Sequence, residues 1–251
     1  MQDRWLYPVQ HSDDPAVRLI CFPHAGGSAA FYHEWRGALP PDIAIYAVQY
    51  PGRANRLSEP MIDDAHRLAT EVVPVLRPLA DRPLALFGHS MGSLIAYEVA
   101  VTLQEQGVRI AALFISGRSA PHVPSDRPSL LHDDDNVLVA NLARLGGTDA
   151  EALSDPELRE LALPYVRNDL RLARDYRHRE CPALECPVTA LVGDADNEVS
   201  LSTVRRWADL TSEDFTMRVL PGGHFYLVPS RDKVLAEVGL RLGRRGNHNG
   251  A

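Results

Sequence analysis

The sequence predicts an α/β fold, a mostly parallel central sheet with helices on both faces, and three observations carry that expectation. Short apolar, β-branched runs alternate with helical patterns along the chain. The runs are apolar throughout rather than at every second position, as strands buried on both faces require. One run, 84–87, passes through a glycine-bounded turn directly into an apolar helical pattern.

Taken in order, the strand candidates are 17–22, 43–50, 84–87, 111–116, 188–192 and 216–220. Helices are expected at 29–38, 63–79, 91–106, 202–210 and 231–242. Pro74 and Pro78 fall inside the second of these. Proline removes an amide donor and crowds the preceding turn, so a kink or an early end is expected there. The alternation stops between Arg118 and Glu180, where amphipathic helices replace strands. Leu131, Leu138, Leu142 and Leu145 recur near helical spacing. Ser154-Asp155-Pro156-Glu157 reads as a capping box opening a helix with Leu158, Leu161 and Ala162, and Leu170, Ala173 and Tyr176 make a third stripe. The expected organisation is a core of 1–117 and 181–243, a helical insertion at 118–180 placed as a lid would be, and a disordered tail at 244–251.

A chain of 251 residues fits one large α/β domain, with 45% hydrophobic and 24% charged residues. A formal net charge of −7 argues against non-specific nucleic-acid binding, which needs a basic face. No run of about 18 apolar residues occurs, and an acidic residue and a proline interrupt the start where an export signal would be apolar. The three cysteines, Cys21, Cys181 and Cys186, are an odd count and point to a reducing compartment, the cytoplasm. Cys181 and Cys186 beside His178 are too widely spaced for a compact thiolate pair, and no second pair exists, so no metal site is expected.

The chemistry begins at Gly88-His89-Ser90-Met91-Gly92. A strand, this turn and a helix together make a nucleophile elbow. Ser90 is forced into strained backbone geometry that exposes its hydroxyl at a helix N-terminus. The expected fold is therefore an α/β-hydrolase. A serine hydroxyl is a poor nucleophile at neutral pH and needs a histidine as base and a carboxylate to orient it, in the chain order serine, acid, histidine. His224 follows the last strand in a glycine turn and is the strongest base candidate. His89 reads as a packing residue and His24 as one that shapes its turn. The acid lies among Asp194, Asp196 and Glu198, after strand 188–192; Asp196 is preferred because it sits beyond the turn, whereas Asp194 can serve the turn itself. The loop Pro23-His24-Ala25-Gly26-Gly27-Ser28 can bring a backbone amide to the site. Ala25 and the residue after the nucleophile, Met91, are the expected oxyanion donors.

The segments Cys21–Ser28, Gln49–Arg53, Phe87–Gly92, Gly193–Asp196 and Pro221–Phe225 together resemble the type II thioesterases that accompany polyketide and nonribosomal peptide synthetases. The resemblance runs from about Arg18 to Val228. It implies a lidded α/β-hydrolase with Ser90, Asp196 and His224 as the triad and Ala25 and Met91 as oxyanion donors. It also implies hydrolysis of acyl groups from the phosphopantetheine arm of an acyl or peptidyl carrier protein. No cofactor and no nucleic-acid or membrane partner are expected, and a monomer is the expected acting form. Carrier proteins are typically acidic, so a local basic face is expected at Arg167, Arg171 and Arg174. Against it stands a solvated helix face offset by Asp169, Asp175 and Glu180. Arg53 is expected to anchor a loop. The rival readings are a general carboxylesterase or lipase, a transacylase, and a catalytically silent binding module.

Overall fold

A computed structural model describes residues 4–124, 130–146, 153 and 155–243. Its centre is a seven-stranded sheet in the order β1-β3-β2-β4-β5-β6-β7. These strands are β1 (Leu6–Gln10), β2 (Val17–Phe22), β3 (Ile43–Val48), β4 (Leu84–His89), β5 (Ile110–Ser116), β6 (Val188–Gly193) and β7 (Phe215–Leu220). All neighbours run parallel except β1, which pairs antiparallel with β3. Six of the strands were expected and β1 was not. Pro8 hides it, yet a proline is tolerated on an edge strand, and the register slips between Pro8 and Gln10.

Alternation along the strands divides the interior into two layers. On β2, Ile20 and Phe22 face α1 (Ala65–Leu76) and α2 (Met91–Glu105) through Leu68, Val72, Leu94 and Ile95. Leu19 and Cys21 face the opposite layer, which holds Tyr32, Trp35, Phe87 and Phe114 with Val234 and Val238 of α6 (Arg231–Gly243). Both faces are dry, which explains why these strands carry no polar alternation.

Local structure departs from the expected helices in three places. Residues Ala29–Trp35 form 3-10 turns rather than an α-helix. Such turns align positions i and i+3, and Tyr32 meets Trp35 edge-on at 5.0 Å, with Trp35 4.8 Å from Phe87. Helix α1 tolerates Pro74 but ends at Leu76, just ahead of Pro78, and a 3-10 turn follows over Arg77–Asp81. The helix expected at 202–210 is a short α5 (Leu201–Arg205) continued by 3-10 turns.

The segment between β5 and β6 carries α3 (Asp135–Leu145) and α4 (Pro156–Asp175). The third stripe, Leu170, Ala173 and Tyr176, belongs to the C-terminal part of α4 rather than to a separate helix. Asp155 caps α4: its carboxylate accepts the Glu157 and Leu158 amides, and Pro156 occupies the first turn, where a missing N–H costs nothing. Ser154 and the tail 244–251 lie outside the described residues. Leu138, Leu142, Leu153, Leu163 and Val166 form a small core of their own. No described helix is long and apolar enough to cross a membrane.

Candidate active site

The carboxyl ends of four parallel strands, β2, β4, β6 and β7, deliver the site, the usual place for chemistry in an open α/β sheet. Strand β4 runs into Ser90 and then α2. Ser90 has φ 54° and ψ −117°, one of two non-glycine residues with positive φ among those described. Flanking glycines make this turn possible. A Cβ on Gly88 would stand 2.2 Å from the Gly92 carbonyl oxygen, and one on Gly92 would stand 2.0 Å from that of Phe22. The Ser90 amide donates to the Ser116 carbonyl at 2.8 Å.

Ser93, which the sequence reading passed over, pins the elbow to β5. Its hydroxyl donates to the Gly88 and Ser116 carbonyls at 2.7 and 2.9 Å and accepts the Ser116 amide at 3.0 Å.

The structure brings Ser90, His224 and Asp196 into one hydrogen-bonded row. His224 Nε2 lies 3.0 Å from Ser90 Oγ, and His224 Nδ1 lies 2.9 Å from Asp196 Oδ2. The histidine side chain is 6% exposed and the carboxylate fully buried. Water therefore competes little for either hydrogen bond. Asp196 Oδ1 also accepts the Glu198 amide at 2.8 Å, which fixes the carboxylate. Asp194 serves its turn instead, accepting the Gly222 amide at 2.9 Å. Such a row can pass the serine proton to the imidazole while the carboxylate holds the Nδ1–H tautomer.

Beneath the row lies a second histidine layer. The His89 ring sits 5.1 Å from that of His224, and its Nδ1 is 2.9 Å from the Ser116 hydroxyl, which is itself 2.6 Å from the Tyr226 hydroxyl. His24 packs edge-on between Phe31 and Phe225, each at 4.7 Å. Burial above all, then the charges of His224 and Arg53, lowers the His24 pKa to about 3, and burial lowers that of His89. Both are neutral packing residues that wall the site.

The loop after β2 closes by a 2.9 Å bond from the Gly27 amide to the His24 carbonyl. The amide of Met91 opens α2, where no acceptor within the helix is available to it. Arg53 is 3% exposed and makes a two-pronged ion pair with Asp169 of α4, itself 2% exposed, at 2.5 and 2.7 Å. Asp169 is thus no offset on a solvated face. It occupies the buried stripe Leu163, Val166, Asp169, Leu172, and a carboxylate on an apolar stripe is the signal that marks it in the sequence.

The three arginines singled out on α4 do not form one free basic face. Arg167 bonds the carbonyls of His132 and Asp133 and pairs with Asp135 at 2.5 Å, which ties α4 to α3. Arg174 pairs with its neighbour Asp175 at 2.7 Å, and Arg171 is exposed. Cys181 meets the Tyr97 hydroxyl at 3.4 Å, and Cys186 is buried.

An elbow serine at the end of a central parallel strand, met by a histidine and an aspartate from the loops after two later strands, defines an α/β-hydrolase. Residues 17–240 match the thioesterase domain family, and the chain belongs to that family of hydrolases. It is 42% identical over 226 residues to the thioesterase PikA5 of Streptomyces venezuelae, covering 89% of this chain and 80% of that one. The solved structure of BorB, a type II thioesterase from the borrelidin biosynthetic cluster, superposes with a TM-score of 0.87 at 42% identity, covering 96% of this chain and 99% of that one. YbtT, a type II thioesterase from the yersiniabactin NRPS/PKS pathway, superposes with a TM-score of 0.85 at 29% identity, covering 96% and 98%.

Proposed function

We propose that this protein is a type II, editing thioesterase that hydrolyses acyl groups from the phosphopantetheine arm of carrier proteins in polyketide or nonribosomal peptide synthesis. The observation that carries the reading is the Ser90–His224–Asp196 row, held at the elbow of a thioesterase-family chain whose relatives serve such pathways. In this reading Ser90 Oγ attacks the thioester carbonyl while His224 Nε2 takes its proton. The Ala25 and Met91 amides hold the oxyanion. The tetrahedral intermediate collapses and expels the pantetheine thiolate, which takes the proton from His224. Water, deprotonated by His224, then attacks the acyl-serine and releases the acid and Ser90. Asp196 keeps Nδ1 protonated throughout. A thiol leaves readily, since its pKa near 8.5 lies far below that of an alkoxide leaving group. No cofactor enters these steps.

Helices α3 and α4 act in this reading as a lid beneath which the carrier's arm threads, with 118–180 as the inserted unit on the 1–117 and 181–243 core. Arg171 and Arg174 face the acidic carrier, while Arg167 holds the two helices together. A cytoplasmic site of action fits three cysteines that are all free thiols. The test compares turnover of an acyl-carrier protein with that of a simple ester of the same acyl chain, alongside labelling of Ser90 by a fluorophosphonate. Preference for the carrier thioester and labelling at Ser90 are expected. Strong preference for the ester would indicate a general carboxylesterase or lipase. Absence of labelling would indicate a silent binding module.

A further inference from the structure

One buried ion pair grips the loop after β2 from two sides. Arg53 Nη1 donates to the Gly27 carbonyl at 3.1 Å, and the Gly26 amide donates to Asp169 Oδ2 at 2.9 Å. Arg53 comes from the turn after β3, whereas Asp169 comes from α4 of the insertion, 116 residues away. The loop is a tight turn, closed from Gly27 to His24, with Gly26 at φ +78°, the value of the third position of a type II turn. The central peptide of such a turn, here Ala25–Gly26, is the one that can flip. Asp169 accepts the N–H of that very peptide. Val166, one turn earlier on α4, closes the space above it: a Cβ on Gly26 would stand 2.9 Å from Val166 Cγ2.

The pair is charged. Burial acts to lower the Arg53 pKa, but the charge and hydrogen bonds of Asp169 outweigh it and the net direction is upward. The rings of Tyr50 and Tyr165 lie 5.4 and 4.9 Å from the guanidinium. A buried ion pair is weak support for stability, since apolar residues of similar volume commonly do as well. What apolar residues cannot supply is an acceptor for the Gly26 amide.

Resting on the proposed hydrolase reading, we infer that Asp169 is a positioning residue for the oxyanion site. Held by Arg53, its carboxylate fixes the peptide that follows Ala25 while Arg53 holds the Gly27 carbonyl, so the turn that carries the Ala25 amide keeps its shape only while α4 is seated on it. Seating of the insertion and assembly of the oxyanion site are then one event. A substrate that lifts α4 meets an incomplete site until the helix returns.

The test uses the full chain, an acyl-N-acetylcysteamine thioester as substrate, and a trifluoromethyl ketone of the same acyl chain, whose adduct with Ser90 carries an oxyanion. The double variant Arg53→Met/Asp169→Leu removes both charges and leaves neither partner orphaned. With thermal unfolding confirming that it folds, kcat is expected to fall about tenfold or more, with KM little changed and affinity for the ketone falling in proportion. A purely structural pair predicts wild-type kcat and wild-type ketone affinity in the folded double variant, and that result overturns the inference. Asp169→Asn, which keeps the side chain's shape, is expected to show the same parallel fall to a lesser extent, and wild-type values for both quantities overturn the inference equally. Ser90→Ala separates the two levels. If it retains turnover, the hydrolase reading fails and takes this inference with it. If it is inactive while the Arg53 and Asp169 variants match wild type, only this inference fails.

Discussion

Asp194 accepts the Gly222 amide at 2.9 Å and so ties the loop after β6 to the loop after β7, two residues before the aspartate that meets His224. The two aspartates divide the work between them. Asp196→Asn is expected to reduce kcat by about 10³–10⁴-fold, because the imidazole loses the partner that fixes its tautomer. Asp194→Ala removes an exposed turn hydrogen bond, costing about 0.5–1.5 kcal/mol of stability and far less activity than the first variant. Steady-state kinetics and urea unfolding of the two variants check the division.

The elbow tolerates no added atoms. A Cβ on Gly92 would fall 2.0 Å from the Phe22 carbonyl oxygen, and backbone cannot swing aside as a side chain can. Gly92→Ala is expected to lower stability by about 3 kcal/mol or more, read as a fall in unfolding midpoint or as loss of soluble protein.

Stability should fall with acid. His24 and His89 stay neutral in the folded chain, with pKa values depressed chiefly by burial, that of His24 to about 3 against an ordinary 6.5. Below about pH 6.5 the unfolded chain binds protons that the folded chain refuses. Their contribution is therefore fully present above that pH and is lost as the pH falls toward 3, by up to about 1.4 kcal/mol per unit for each histidine. Urea unfolding at pH 7 and pH 5 should show wild type losing roughly 1–2 kcal/mol more than His24→Phe. Equal losses would contradict the assignment.

The exit from α4 is anchored on a buried acid. Glu98 of α2 is 1% exposed and accepts the Tyr176 hydroxyl at 2.5 Å, with His66 Nδ1 at 2.8 Å. Tyr176→Phe leaves that carboxylate short of a donor and is expected to cost about 1–3 kcal/mol, measured by thermal unfolding at pH 7.

The positions legible in the sequence were those whose local pattern states their surroundings. The strand into Gly88-His89-Ser90-Met91-Gly92 carried both its burial and its turn, and the glycine loop at His224 announced an imidazole near the strand ends. Strand β1 escaped because Pro8 erases the ladder signal that an edge strand does not need. Asp169 escaped because its meaning lies in Arg53, far off in sequence, and neither residue's neighbours record that pairing. The same blindness assigned Arg167 to a free face, when its partners sit on the loop before α3 and on α3 itself. Ser93 gave no local signal, since its hydroxyl works only once β4 and β5 lie side by side.

The central claim is that Ser90 opens a carrier-bound thioester, and intact-protein mass spectrometry of an acyl-loaded carrier protein tests it most directly. Incubation with wild type should return the free-thiol carrier, and incubation with Ser90→Ala should leave the acyl carrier at its starting mass. Deacylation by Ser90→Ala at the wild-type rate would contradict the account.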